Sequence, residues 1–534
     1  MTVLPPAARA LPTGRARHAL PVNWPRRWLL GIGAVLLPLA VAAVAVAPQH
    51  ARLVAAAVLG GCAAAAATAA LVRRPELLVW AALVLFSLSG ELQLRVSASF
   101  GLVKDALLVV AALATAITLL RKDVRLARVR RFAPALAPLA VLVGLYLVNP
   151  AGSYDTPWLF GTRLLLSALA LLLIGLLTAA PGRSVQALVR CCAVLLPFEA
   201  VFAWAQQFAG ADALVFSWGY EFGSQVRLTS TGGLRTSGTF QDPFQLAALA
   251  VIGLAVALFL ARPALGLLIG AASLAVLAAA DVRTAFLQAG VLLAVWVISR
   301  GFWRQALLAG LVAAVAGILA LATITTSETP GGPEKPLLLS LNGRSTSWAL
   351  AVTDWQSVAV GNGVGDRGIG STRVDTTIAD APSYDPTQAP TAVFAGNTAF
   401  LDSAYAQVLS DVGIVGVAAL IAGFGSLLWL LLRGARPLPL RGPADRIQRR
   451  GPPPPVRAAW AGLAVLLTTA IDWIGRASLA SYTTGYLTML VLGVLAAAAV
   501  GTQPRPGPPA ATPSEPDRLS PPALAPMSAR YPNP

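Results

Sequence analysis

The chain has 534 residues, of which 56% are hydrophobic and only 12% charged, about half the charge of an ordinary soluble domain. Mean hydropathy is +0.70, and the apolar residues form blocks of roughly 17–22, long enough to cross a hydrocarbon layer about 30 Å thick. This excludes a soluble globular enzyme and predicts an all-α, polytopic integral membrane protein. The formal charge of +17, from 40 basic and 23 acidic residues, would suit a nucleic-acid binder if the cations shared one domain, but they fall in short clusters between apolar blocks and read as topology signals.

A basic segment, 1–27, carries Arg15, Arg17, Arg26 and Arg27. Apolar blocks follow at about 28–47, 53–72, 77–90, 105–120, 133–148, 159–179, 186–209, 243–260, 264–279, 284–299 and 305–325. A polar stretch, 326–403, separates them from blocks at about 404–432, 458–474 and 482–500, which makes about fourteen spans (12–14, since 77–90 and 264–279 are short). The first block has small residues at Ala43, Ala45 and Ala47, but its run of about twenty exceeds a signal-peptide core, so it reads as a span. With 1–27 cytoplasmic, Arg73/Arg74, the Arg121 to Arg131 run, Arg183, Arg262, Arg300/Arg304 and the Arg433 to Arg457 run all fall on the same side. That is the positive-inside pattern. It predicts a multi-pass plasma (inner) membrane protein with both termini cytoplasmic, ending in a Pro/Ala/Ser-rich tail, 501–534, that reads as disordered.

The polar pieces fall on the opposite, outer face: 210–242, the 326–403 loop, and short breaks at Asp281-Val-Arg283 and Asp472 to Arg476. In the first, Arg235-Thr-Ser-Gly238-Thr-Phe240-Gln-Asp-Pro243 sets a guanidinium beside a helix start, a corner that suits a phosphate; taken alone, Arg235 also reads as a side chain snorkelling to head groups. In the second, Arg283 stands between two apolar blocks with almost no loop. An arginine at a membrane border is costly unless paired or facing a polar cavity, so it is either functional or an ion pair with Asp281. The large loop holds Gly343-Arg344 with Trp348 and Gly361-Asn-Gly-Val-Gly365, and ends on Asp402, Tyr405, Asp411 and Gly413. Read helically, Asp402, Tyr405 and Leu409 share one face, and the plain reading of Asp402 is a helix N-cap. Gly361 to Gly365 lacks the Lys-Ser/Thr of a nucleotide-binding loop. Glu199 lies inside a span and calls for a cavity or a partner.

Cys62, Cys191 and Cys192 lie in apolar blocks without metal or disulfide spacing. His50 stands alone, His18 is predicted cytoplasmic, and Asp375, Asp380 and Asp385 read as solvated loop residues. No metal cage is evident in these spacings.

The three polar pieces, in this order and on one face, resemble the O-antigen ligase and polymerase superfamily, including the Wzy-type polymerases. That family has an Arg-x-x-Gly-x-Phe segment opening a span, a second Arg at a membrane border, and a large outer loop before a His-Asn or Asp-Asn-x-Tyr helix that ends in Glu-x-Gly-Ile-x-Gly. Arg235, Gly238 and Phe240 match the first part and Arg283 the second. Arg344, Trp348, Gly361 and Gly363 are similar to the loop's opening, and Asp402, Tyr405, Asp411, Gly413, Ile414 and Gly416 to the last part. Lys104-Asp105 and Gln206/Gln207 are weaker echoes. The sequence departs from the pattern at Phe244 and Ser403, where Asn is expected, and at 402, where Asp stands instead of His.

The resemblance implies a GT-C-like membrane glycosyltransferase that needs no metal or other cofactor. It would transfer or polymerise oligosaccharide from a polyprenyl (undecaprenyl-type) diphosphate on the outer face. Its partners would be that donor, the lipid bilayer and polysaccharide-assembly proteins, with no nucleic acid. Arg235 and Arg283 would hold the diphosphate and act in catalysis with Asp402, Arg344 would touch phosphate or brace the loop, and Tyr405 would position sugar. Arginine suits this task, since its planar fork takes two phosphate oxygens and stays charged. A ligase joining glycan to a lipid or protein, and a polysaccharide or lipid transporter, are the competing readings. A transporter would be expected to show an internal repeat, and none is evident.

Overall fold

The structure is a computed structural model that describes residues 51–96, 101–120, 125–222, 225–229, 233–302, 351–352, 355–366, 401, 403–435 and 455–500. Arg344, Asp402, the blocks expected at 28–47 and 305–325, most of the 326–403 loop and the tail lie outside the described residues.

The chain runs through α1 (Ala51–Arg73), α2 (Leu77–Ser87), α3 (Ser89–Arg95), α4 (Gly101–Leu120), α5 (Arg125–Val148), α6 (Thr156–Leu176) and α7 (Pro181–Asp212), the last continued by a π-helical turn, Ala213–Ser217. A two-stranded antiparallel ribbon, β1 (Arg227–Leu228) and β2 (Leu234–Arg235), precedes α8 (Pro243–Ala255), which continues as a π-helical turn, Val256–Leu260. Then come α9 (Pro263–Ala280), α10 (Arg283–Ser299), the short α11 (Trp355–Val360), α12 (Ala404–Gly434), α13 (Pro455–Gly475) and α14 (Tyr482–Val500). Among the described residues nine helical segments are long and apolar enough to cross a membrane; α2 and α3, bent by 53°, make a tenth if they form one broken span. The described residues are thus mostly helical, with several helices long and apolar enough to span a membrane, as composition leads one to expect.

Local sequence explains where the helices begin. Pro occupies the first or second position of α6, α7, α8 and α9, where its missing N–H would have no helical partner anyway. Asp155 caps α6 by accepting from Trp158 N at 2.9 Å, and Asp242 caps α8 by accepting from Gln245 N at 2.8 Å. The N-cap of α12 is Ser403, whose hydroxyl accepts from Ala406 N. The capping role that would have explained Asp402 thus belongs to its neighbour.

The last helix is the centre of the bundle. Its spanning window is 94% buried against 28% for α4, and it packs on α6, α13, α7, α8, α2 and α12. A helix apolar on every face belongs in such a place. Where α14 crosses α6, Gly493 and Gly175 meet: a side-chain carbon at 493 would lie 2.3 Å from the Leu172 carbonyl, the small-residue contact that lets membrane helices approach closely. At the helix ends away from the ribbon, Arg183 pairs with Glu76 at 3.5 Å and Arg131 donates to the Val500 carbonyl at 3.0 Å. Arg131 and Arg183, two of the basic residues of the topology signal, thus lie at that end.

Candidate functional site

The segment from Leu234 to Asp242 is fixed from below by polar side chains of α7. Gln206 makes a two-way clamp on Gly238, its oxygen accepting from the Gly238 N–H at 2.9 Å and its amide donating to the Gly238 carbonyl at 2.8 Å. Gln207 donates to the carbonyls of Leu234 and Ala279, both at 2.8 Å. Glu199, fully buried, accepts from the Thr239 N–H at 3.0 Å and from its hydroxyl. The partner that a carboxylate at this depth calls for is therefore the loop above it. Gly238 has φ of +59°, a conformation that glycine adopts without strain, and a side-chain carbon there would lie 2.5 Å from Glu199 Oε2. From the other side, the Thr239 carbonyl accepts from Gly90 and Glu91 N–H at 3.1 and 3.2 Å. Glu91 also accepts from the Tyr220 hydroxyl and pairs with Arg95 at 3.4 Å. Burial and the Glu91 carboxylate push the Tyr220 phenol up from its ordinary value, so it stays a donor.

This rigid segment carries Arg235. In the ribbon, Arg235 pairs with Arg227 as direct cross-strand neighbours, which places both side chains on one face. Like charges so placed repel, and nothing in sheet formation calls for them. Arg283, the first residue of α10, is exposed and acts electrostatically on Arg235, as do Arg227 and Asp281. Burial lowers the proton affinity of Arg235; Asp281, the strongest of the charges acting on it, raises it, and the guanidinium groups of Arg283 and Arg227 lower it. The Arg235 Nε is buried and has no hydrogen-bond partner among the described residues.

A fourth arginine arrives from α13. Arg476 pairs with buried Asp472 at 3.3 Å, and its guanidinium lies 4.4 Å from the centroid of the Phe244 ring. The Arg227 guanidinium lies 5.2 Å from the same centroid. Phe244, second residue of α8, thus joins the ribbon to the end of α13, within reach of a cation–π contact on each. The start of α12 is tied to the same place: the Arg476 carbonyl accepts from Ala404 N at 3.1 Å, and the Ser403 hydroxyl donates to the Trp473 carbonyl at 2.9 Å. Tyr405 is half-buried; its hydroxyl donates to the Ala470 carbonyl at 3.3 Å and its ring meets Trp473 edge-on.

Arg235 and Arg283 thus lie within electrostatic reach of each other, and among the described residues Tyr405 is connected to this cluster through α13. Arg227, Phe244 and Arg476 complete the constellation. Sequence reasoning had Arg227 and Arg476 on the outer face without a role, because only the strand register and the shared ring reveal their association. Beneath Arg476, Asp472 also borders a cavity between α8, α10, α13 and α14 lined by Gln288, Thr468, Thr484 and Thr488. At about 20 Å³ it has room for a water molecule and none for a sugar.

The glycine-rich Gly361 to Gly365 stretch follows α11 and docks on a break in α12. Gly413 has φ of +71° and ψ of −169°, and a side-chain carbon on it would lie 2.4 Å from the Ala359 carbonyl oxygen; one on Gly361 would lie 2.7 Å from the Val412 nitrogen. Asn362 N donates to the Ser410 carbonyl at 2.6 Å, and Val364 N donates to Asn149 Oδ1 at 2.7 Å. Buried Asp411 accepts from the Tyr146 hydroxyl at 2.8 Å. These contacts fasten the 361–365 stretch to α12 and to the α5–α6 connection. Of the weaker sequence echoes, Asp105 pairs with Arg163, while Gln206 and Gln207 are the loop clamps described above.

No protein-family model matches this chain, and no curated protein matches it significantly.

Proposed function

We propose that the protein is a membrane glycosyltransferase of the polymerase type, with about fourteen spans in a GT-C-like arrangement. It extends a surface polysaccharide on the outer face of the plasma membrane from an oligosaccharide carried on a polyprenyl diphosphate. The observation that carries this reading is the convergence of Arg227, Arg235 and Arg283 on a loop locked to the membrane helices. A donor that is half lipid and half anion needs fixed cations at a membrane border, and a cluster of arginines on a clamped segment supplies them. The buried Nε of Arg235, without a hydrogen-bond partner among the described residues, is a donor that an acceptor brought to it would satisfy.

In the reaction, the acceptor hydroxyl oxygen attacks the anomeric carbon and the bond from that carbon to the phosphate oxygen breaks. The diphosphate departs with the bonding electrons. Arg235 and Arg283 stabilise the charge that grows on it, which is the large electrostatic term in such transfers. Asp402 takes the acceptor proton. With Ser403 as the cap of α12, this carboxylate is not required for capping. Arg344 braces the loop or meets phosphate, and Tyr405 borders the sugar path. The reaction uses no metal or other cofactor.

The test is turnover by the reconstituted protein with polyprenyl-diphosphate-linked oligosaccharide, run with and without chelator and with and without a separate lipid or protein acceptor. Chain growth on the carrier alone, insensitive to chelator and lost in Arg283→Ala and Asp402→Asn, is the expected result. Product formed only with the separate acceptor indicates a ligase. Transbilayer movement of the substrate without any new glycosidic bond indicates a transporter.

A further inference from the structure

The described arginines outnumber what a single pair of phosphate ligands requires, and the surplus is organised by one aromatic ring. Arg227 and Arg476 come from segments separated by nearly half of the chain and share no regular secondary structure. Their guanidinium carbons nonetheless lie 5.2 and 4.4 Å from the centroid of Phe244. Packing alone does not explain this. An apolar side chain at 244 would fill the same space between the ribbon and α13, but only an aromatic face attracts cations. The ring is partly buried at the first turn of α8, so it is anchored by the helix while its face is offered to both guanidinium groups. Asp472 holds Arg476 from the other side. The register of the ribbon then sets Arg227 beside Arg235, and Arg235 feels the charge of Arg283. Arg283, Arg235, Arg227, Phe244 and Arg476 are thus linked in sequence, each to the next, by charge, strand register or ring contact.

We infer that Arg227 and Arg476 are a second anion-binding arm of this site and that Phe244 is the positioning residue that holds them. The ligand class is a diphosphate on an isoprenoid chain, met on one side by Arg235 and Arg283 and on the other by Arg227 and Arg476. This rests on the proposed function for the identity of the ligand, and on the two ring contacts for the arm itself. Prepositioning matters because an arginine otherwise loses side-chain freedom when it binds. A ring that fixes two guanidinium groups in advance removes that cost from the binding step.

The experiment is equilibrium binding of farnesyl diphosphate to the full chain in nanodiscs, with farnesol as the control lacking phosphate. The wild-type protein is expected to bind the diphosphate and to prefer it over farnesol. Arg227→Gln and Arg476→Gln are each expected to weaken diphosphate binding about tenfold or more, as loss of a charge-assisted hydrogen bond does. Phe244→Leu is expected to weaken it by about three- to thirtyfold, with farnesol binding unchanged, and Phe244→Tyr to restore most of that loss. If Phe244→Leu binds the diphosphate as the wild type does, or if Leu and Tyr behave alike, the ring only fills space and the inference is overturned. If Phe244→Leu does not fold, Arg227→Gln decides: unchanged binding there overturns the arm. Should the wild type show no preference for the diphosphate over farnesol, the proposed function itself fails. The two failures are thus distinguishable.

Discussion

Glu199 offers a quantitative test of how the Arg235 segment is held. Its carboxylate is fully buried within α7 and accepts from the Thr239 N–H at 3.0 Å and from the Thr239 hydroxyl, while that hydroxyl is also 2.9 Å from the Ser87 carbonyl. Removing the carboxylate in Glu199→Ala strands the Thr239 N–H, at about 1–3 kcal/mol, and leaves a cavity costing a further ~2–3 kcal/mol. The total of roughly 3–6 kcal/mol corresponds to a fall of about 5–10 °C in the unfolding midpoint. Glutamine behaves differently. Its amide oxygen can accept from the Thr239 N–H, its amide nitrogen can donate to the Thr239 hydroxyl oxygen, and that hydroxyl then gives its single proton to Ser87. One amide hydrogen is left over, so Glu199→Gln costs about 1 kcal/mol. Thermal unfolding in detergent and turnover of the reconstituted variants measure both quantities: Gln should stay near wild type in each, and Ala should fall in each. A Gln variant that folds normally but is inactive would show that Glu199 moves a proton; an Ala variant of unchanged midpoint would show that it anchors nothing.

Gly413→Ala forces a side-chain carbon to within 2.4 Å of the Ala359 carbonyl oxygen at a backbone conformation, φ +71° and ψ −169°, that is nearly exclusive to glycine. We expect a cost of about 2–5 kcal/mol from strain and displacement of α11, read as a lower unfolding midpoint and as faster proteolysis within 355–366. Tyr146→Phe removes the hydroxyl that donates to buried Asp411 and should cost about 1–3 kcal/mol, with Tyr146→Phe/Asp411→Asn partly restored because a neutral amide costs less than a carboxylate to bury without that donor; a double variant no better than the single one contradicts the pairing. Arg235→Lys keeps the charge but loses the planar fork, so affinity for a diphosphate should fall about tenfold while its dependence on salt is retained. Equal affinity for the two would mean that Arg235 acts only as a point charge.

Much of this architecture was legible in the sequence because apolar block length is a direct imprint of membrane thickness, and Pro, Asp and Ser at block edges mark helix starts. The blocks at 243–260 and 264–279, for example, correspond to α8 with its π-helical turn and to α9. The penalty on arginine at a membrane border singled out Arg283 in the sequence, with Asp281 as its alternative partner, and both residues act electrostatically on Arg235. The rest depends on distances in space that no linear pattern carries. Arg227 becomes a neighbour of Arg235 only through a two-residue ribbon too short to leave a period-two signature. Arg476 joins through a ring more than 200 positions earlier in the chain. Phe244 stands out in the sequence only as a departure from the resembled pattern, and its two guanidinium neighbours are visible only in space. Glu199, likewise, could be read as needing a partner but not as having Thr239 for one. Asp402 and Arg344 lie outside the described residues, and their roles rest on the resemblance and on chemistry.

The central claim is that the outer arginine cluster supports glycosyl transfer from a polyprenyl diphosphate, and product formation in proteoliposomes measures it directly. Given only polyprenyl-diphosphate-linked repeat units, the wild-type protein should release polyprenyl diphosphate in step with formation of longer glycans. Arg283→Ala, altered at an exposed position, should retain its fold and lose about two to three orders of magnitude in rate. Wild-type protein that forms no glycosidic bond with any polyprenyl-linked donor, or an Arg283→Ala variant that turns over at the wild-type rate, would contradict the account.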